Sequence, residues 1–263
     1  DLNNKKILII CEQGYGDNIN FFRYLFWLHE KFNVKIIFYA HKKLAHLFHN
    51  TPFQIISDLN DVNHIDYHQH LLSLPRICYK ESKKFEKNIN YININQIKDS
   101  YWKKKLSSFK KPVIAINWQG DHRYTYDDMR SIPLSYFKDT LNNENFEFIS
   151  LQKNFGSEQI KKNNFENLLI DFSKEIDSGE NAFEDTISIL KNVECVITSD
   201  TAIAHLAGTL NVKTFLLLAF NPEWRWYIEL NHKCFYPNMN IIQQSKFNDW
   251  KGVFHELNKR LEK

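Results

Sequence analysis

Several features that would identify a protein class at sight are missing from this chain. Its four cysteines, Cys11, Cys78, Cys195 and Cys234, lie far apart, with no CxxC pair and no Cys/His cluster at metal-ligand spacing. Neither a disulfide framework nor a zinc site is expected, and a reducing, cytoplasmic setting fits best. Cys11 and Cys195 sit inside apolar runs and read as small core residues. Charge of one sign is lacking too: 34 basic against 31 acidic side chains leave a formal charge of +3, too little for the field that drives nucleic-acid binding. No apolar stretch approaches the roughly 18 residues that span a bilayer, and the opening "DLNNKK" is not a signal peptide. A soluble protein is expected, with peripheral membrane contact left open. Tandem repeats and low-complexity tails are absent. The chain begins at Asp1 rather than methionine, in keeping with a piece of a longer protein.

What is present is alternation. Strand-length apolar runs stand at 6–11 ("KILIIC"), 34–40, 53–57 and 62–65, with helical segments at 18–31 and 42–50 between them. The pattern weakens from Asp66, and 80–111 is polar with little periodicity, so it reads as a connector. Alternation resumes with runs at 112–118, 146–151, 167–172, 194–199, 213–219 and 239–243, and helices at 134–143, 182–192, 201–210 and 250–263. Buried strands separated by helices imply parallel sheets covered by helices. The fold class is α/β, with two Rossmann-like β/α domains, 1–110 including the connector and 111–263, and a cleft between them.

The turn "EQGYGDN" after the first strand begins like a dinucleotide fingerprint, with Gly14 and Gly16 at the first two glycine positions. The third falls on Ile19, and no acidic residue closes the second strand, where "FYAHKK" stands instead. That leaves Asp17 near a helix N-terminus at the C-terminal edge of a parallel sheet, where α/β folds place ligands. An N-cap is the plain reading of such an aspartate, but two glycines beside it allow close approach to the backbone.

In "VITSDTAIAHLAGTL" (196–210) a buried strand ends at Ser199 and Asp200 and a helix of small residues starts at once. The N–H groups of Thr201, Ala202 and Ile203 lack intrahelical partners and suit a phosphate, with His205 one turn further on the same face. Gln119, Lys153 and Asp200 directly follow predicted strands and are expected along one sheet edge, with Gln152 beside Lys153. Lys153 and Arg130 are the candidate phosphate cations. Trp224 and Trp226 offer stacking or burial.

Taken together, "GYGDNINFFRYL", "DYHQHLLSLP", "INWQGDHRYTYDDMRSIPLSYF", "SLQKNFG", "TSDTAIAHLAGTLNVKTFLLLAFNPEWRWY", "CFYPNMNIIQQ" and "DWKGVF" resemble the glycosyltransferase-like region that follows tetratricopeptide repeats in many bacterial proteins. That region is related to the heptosyltransferases, family 9 of the GT-B glycosyltransferases. The resemblance runs from about residue 7 to residue 254, with "SDTAIAHLAG" and "PEWRW" its most specific blocks. It implies a nucleotide-diphosphate sugar held mainly by the C-terminal domain, a hydroxyl acceptor on the N-terminal one, and a tetratricopeptide-repeat domain outside this chain. Asp17 takes the position of the proposed catalytic base, with Gly14 and Gly16 in the acceptor-side loop. Asp200, Thr201, Ala202 and His205 take the donor diphosphate-binding block, and Lys153 the family's lysine. Glu184 or Asp185 stands where the donor ribose would be met. The family's Ser-Leu-Gly-Asp is Gly-Tyr-Gly-Asp here, and its Asp-Thr-Gly is Asp-Thr-Ala.

The first expectation is therefore an inverting, metal-independent glycosyl transfer to a glycan, lipopolysaccharide-type or protein hydroxyl. The nucleotide sugar is substrate, and no cofactor or metal is called for. The second is a GT-B-shaped module that binds without transferring, favoured by the altered motif and the short N-terminal half.

Overall fold

A computed structural model describes residues 2–62, 64–78, 90–226 and 235–262. Asn63, the stretch 79–89 of the expected connector, Tyr227 and Cys234 lie outside the described residues.

Two parallel sheets organise the chain. The first contains β1 (Lys6–Ile10), β2 (Lys35–Tyr39), β3 (Gln54–Ile56) and β4 (Tyr67–His70) in the order β3-β2-β1-β4. The second contains β5 (Val113–Asn117), β6 (Glu147–Ser150), β7 (Ile170–Asp171), β8 (Cys195–Thr198), β9 (Thr214–Leu218) and β10 (Met239–Gln243), ordered β10-β9-β8-β5-β6-β7. Chain order reverses beside β1 in the first sheet and between β5 and β8 in the second. Ligands of open α/β sheets bind outside the strand C-termini at such switch points. The central strands β5, β8 and β9 are buried at every position, as expected of strands covered on both faces.

The expected strand at 62–65 is not formed among its described residues; the fourth strand lies at Tyr67–His70 instead. "YHQH" carries no apolar run because β4 is an edge strand paired to β1 alone and largely solvent-facing. The expected helix over 42–50 is reduced to a single 3₁₀ turn, Ala45–Phe48. The connector contains a helix that periodicity does not reveal, α4 (Gln96–Leu106), after α3 (Leu74–Cys78). The helix expected at 18–31 begins earlier and divides into α1 (Tyr15–Phe21) and α2 (Arg23–Phe32), with Phe22 at the junction.

In the second half, short helices α5 (Asp127–Arg130), α6 (Lys138–Leu141) and α7 (Gln159–Lys162) precede α8 (Glu184–Leu190), α9 (Ala202–Thr209) and α10 (Trp250–Leu261). Two packings bring the sheets together: α1 lies against α9, and α4 against α8. One apolar core runs through both, joining Ile9, Phe22 and Phe38 to Ile187, Ile203 and Leu216. A second core, around Ile116, Phe148, Ile197 and Phe254, belongs to the β5–β10 sheet.

Candidate active site

The C-terminal ends of β1, β5, β6 and β8 surround a cavity of about 840 Å³. Gln13 to Asp17 and His41 line it from the first half; Gln119, Arg130, Gln152, Lys153, Asp200 to Ile203, His205 and Arg225 are among its lining from the second. Most residues singled out in the sequence meet at this one cavity.

Asp17 is the third residue of α1 rather than its N-cap, which is Gly14, and one of its oxygens, Oδ2, makes the back-bond of a capping box, accepting the Gly14 backbone N–H at 3.1 Å. The other is engaged from far along the chain. Oδ1 accepts from Nε of Arg225 at 2.7 Å and also takes its Nη2. Nη1 of the same guanidinium lies 3.1 Å from Glu223 Oε2, and Glu223 Oε1 accepts the Tyr124 hydroxyl at 2.6 Å. Burial pushes the Asp17 carboxyl above its ordinary pKa; Arg225 and the Gly14 N–H pull it back, while Glu223 pushes with burial. The balance favours a carboxylate more basic than an exposed one.

Gly16, which lines the cavity, also serves the packing of two helices. A Cβ there would stand 2.9 Å from His205 Cδ2 and 3.4 Å from the Ala202 Cα, so its missing side chain lets α1 settle on α9.

The N-terminus of α9 has no side-chain cap. Thr201, at the cap position, turns its hydroxyl to Asn117 Oδ1 at 2.8 Å, tying the ends of β8 and β5 together. The first turn is therefore left without a side-chain cap beside the cavity that Thr201, Ala202 and Ile203 line, an arrangement suited to an anion. Asp200, directly before them, is buried, and burial pushes its carboxyl up toward the neutral form. The Trp226 indole N–H offsets part of that from a geometry too loose for a full hydrogen bond, since its Nε1 has no partner. A carboxyl so disposed repels a neighbouring anion less than an exposed one would.

His205 is sealed in, stacked on Trp226 at 4.7 Å with Nδ1 3.1 Å from the Tyr236 hydroxyl, which donates to Asn20 Oδ1. Burial first, and the positive charges of Arg225, Arg23 and Arg130 after it, hold the imidazole well below its usual pKa. The ring therefore brings no positive charge to the cavity it lines, and it also forms part of the contact between α1 and α9.

Lys153 lines the cavity with its ammonium donating to the backbone carbonyls of Ile176, at 2.6 Å, and Asp177. Arg130 lies over the Tyr124 ring and bonds Asp127 Oδ1 at 3.0 Å. Gln152 is a clamp: its Oε1 accepts from Asn117 Nδ2 and the N–H groups of Trp118 and Gln119, and its Nε2 donates to the carbonyls of Gln119 and Phe155. It shapes the loop carrying Gln119, whose own Oε1 accepts from Gln159.

Glu184 and Asp185 are not brought to this cavity. Asp185 is buried and committed to the Trp102 indole N–H at 2.7 Å, the Lys98 ammonium and the Asp177 N–H. Glu184 borders a separate small hollow with His46 and Asn93. Asp185 is thus turned toward α4, and Glu184 accepts from Asn181 Nδ2 at 3.1 Å. Phe183, with φ +71°, is the residue of that segment that lines the cavity.

Arg225 and Glu223 are among the site residues that the sequence alone does not single out. The signal was an arginine between two tryptophans in "PEWRW". Trp226 is buried, while Trp224 is 45% exposed and stacks on Phe21 at 5.6 Å.

No family model and no curated protein matches the chain. Solved structures do. ADP-heptose lipopolysaccharide heptosyltransferase II of E. coli superposes with a TM-score of 0.61 at 13% identity, covering 98% of both chains. A family 9 glycosyl transferase of Veillonella parvula gives 0.65 at 11%, covering 98% of this chain and 92% of that one. E. coli heptosyltransferase WaaC, solved with ADP-2-deoxy-2-fluoro heptose, gives 0.62 at 9%, covering 98% and 99%. The likeness establishes the fold, parallel α/β sheets arranged as in GT-B-type glycosyltransferases; it carries nothing on tetratricopeptide-repeat proteins. No helix of the described residues is long and apolar enough to cross a membrane.

Proposed function

We propose that this chain is a GT-B glycosyltransferase that moves a sugar from a nucleotide-diphosphate donor to a hydroxyl acceptor, with inversion and without a metal. Halves 1–110 and 111–263 would form the acceptor and donor sides of one cleft, in a cytoplasmic setting. The observation that carries the reading is the meeting of a half-buried carboxylate, Asp17, and an uncapped helix N-terminus, at Thr201 and Ala202, in one cavity lined from both sheets. Its volume of about 840 Å³ falls within the roughly 300–1,000 Å³ of small-molecule sites.

The chemistry divides between the two walls. An acceptor hydroxyl oxygen attacks the anomeric carbon from the face opposite the phosphate; the new C–O bond forms as the bond to the leaving phosphate oxygen breaks. The hydroxyl proton passes to Asp17, a base role typically worth about 10² to 10⁴ in rate. Negative charge gathering on the leaving diphosphate is met by the α9 N–H groups, Lys153 and Arg130.

A thermal-shift screen and calorimetry with UDP, GDP, ADP and CMP compounds test the reading. At least one nucleotide should stabilise the protein, and Asp17→Asn should retain that binding while turnover of the matching donor sugar falls at least about 10²-fold. Wild-type turnover by Asp17→Asn would reduce Asp17 to a cap. Binding with no turnover by the wild type on any acceptor would favour a non-catalytic module, a reading supported by the present engagement of both Asp17 oxygens.

A further inference from the structure

Resting on that reading of the cavity, we propose that Arg225 is an exchangeable counter-ion: it covers Asp17 until a donor diphosphate draws it away, so that donor binding uncovers the base for the acceptor.

Both oxygens of Asp17 are engaged in this structure, Oδ1 doubly and Oδ2 singly. Oδ2 holds the Gly14 N–H, which is part of the helix start, and Oδ1 holds two nitrogens of Arg225. An acceptor hydroxyl cannot donate to Oδ1 while the guanidinium fills it. The Gly14 bond is local backbone geometry, whereas the Arg225 bond joins side chains 208 positions apart and can break without disturbing a helix.

Arg225 is also placed to leave. It lines the same cavity as Thr201, Ala202, Arg130 and Lys153, and its charge is felt by both Asp200 and His205. Its guanidinium lies 5.3 Å from the Trp224 ring centre and 5.9 Å from that of Phe21, so an aromatic shelf supports it whichever anion it holds. Its present partners are two single carboxylates, Asp17 and Glu223. A diphosphate offers more charge and a fork that matches guanidinium geometry. One cation serving two rivals makes Asp17 and the diphosphate competitors, and such coupling is reciprocal: whatever loosens Arg225 from Asp17 tightens the diphosphate.

A double-mutant cycle read by calorimetry with ADP, GDP, UDP and CDP decides the matter. For whichever diphosphate binds, Asp17→Asn, which leaves Arg225 without its charged partner, should tighten binding about 5-fold or more. Arg225→Ala should weaken it about 10-fold, and Asp17→Asn should bring no gain in the Arg225→Ala background. If the gain persists there, Asp17 merely repels the anion and the exchange is wrong. If Asp17→Asn leaves affinity unchanged or weaker, the pair is a structural bridge; the exchange falls and the donor reading stands. If no diphosphate binds the wild type or Asp17→Asn, both readings fall together. Melting curves identify variants that fail to fold, and Arg225→Lys, which keeps the charge without the fork, then replaces Arg225→Ala, with an expected loss in affinity between wild type and zero binding.

Discussion

At Gly16 two opposing effects can be weighed by a single methyl group. Alanine within a helix is usually favoured over glycine by about 0.5–1 kcal/mol. Here the added Cβ would lie 2.9 Å from His205 Cδ2. The ring cannot easily yield, being stacked on Trp226 and bonded to Tyr236. Gly16→Ala should therefore destabilise the protein by about 1–3 kcal/mol, the usual result of overpacking, as a lowered denaturation midpoint. A raised midpoint would mean that α1 has slack against α9. Asp200 offers a second test, through pH. Its folded pKa is raised, so between the unfolded value near 3.8 and the folded one the native state holds a proton that the unfolded chain releases. Its contribution is present at acid pH and lost as pH rises through the folded value. Asp200→Asn removes that loss, so its melting temperature relative to wild type should rise as pH is taken upward from the unfolded value near 3.8 through the folded one. A constant difference would place Asp200 in a less confining environment.

At the scale of elements, α4 shows what periodicity misses. Of its apolar residues Trp102 and Leu106 are buried, while Ile97 and Tyr101 are exposed, so there is no regular stripe to read. Its anchors are polar: Asn95 caps it by accepting the N–H groups of Ile97 and Lys98, and Trp102 donates to the buried Asp185 of α8. Trp102→Phe keeps most of the packing but deprives Asp185 of a donor, and should cost about 1–3 kcal/mol in chemical denaturation. Lys98→Ala should cost less, because that side chain is 37% exposed and solvent can replace it. The strands, by contrast, were legible because β1, β2, β5, β8 and β9 are apolar runs covered by helices. Legibility failed at β4, whose edge position leaves its side chains in solvent, and over 42–50, where one 3₁₀ turn replaces a helix. In the site, residues that follow strand ends or open α9 could be read from the chain. Arg225 could not be assigned a partner, because its ion pair with Asp17 exists only after both sheets have formed. Asp185 shows the converse: Phe183, two residues before it, lines the cavity, but the Asp185 carboxylate turns to α4.

For the whole molecule, the two sheets invite the expectation of two units that unfold and hinge separately, yet the packing between them argues otherwise. The apolar core containing Ile9, Phe22 and Phe38 continues without interruption into Ile187, Ile203 and Leu216. Buried polar links cross the same boundary: Tyr236 joins Asn20 to His205, and Arg23 donates to the Phe235 carbonyl at 3.3 Å while lying over the rings of Phe235 and Tyr236. Parting the sheets would expose that apolar surface at about 25 cal/mol per Å² and strip partners from buried polar groups. One cooperative transition is therefore expected in guanidinium chloride, with tryptophan fluorescence and far-ultraviolet circular dichroism giving the same midpoint. A diphosphate bound in the shared cavity should shift that single midpoint upward by mass action, about 2.7 kcal/mol at one hundred times its dissociation constant. Hydrogen exchange should then slow in both α1 and α9. Two separated transitions, or protection of α9 alone, would show that the halves are coupled too weakly for Asp17 and the helix terminus to act as one site. If the transition is single, access for an acceptor depends less on wide opening of the sheets than on displacement of one side chain, Arg225, from the carboxylate it covers.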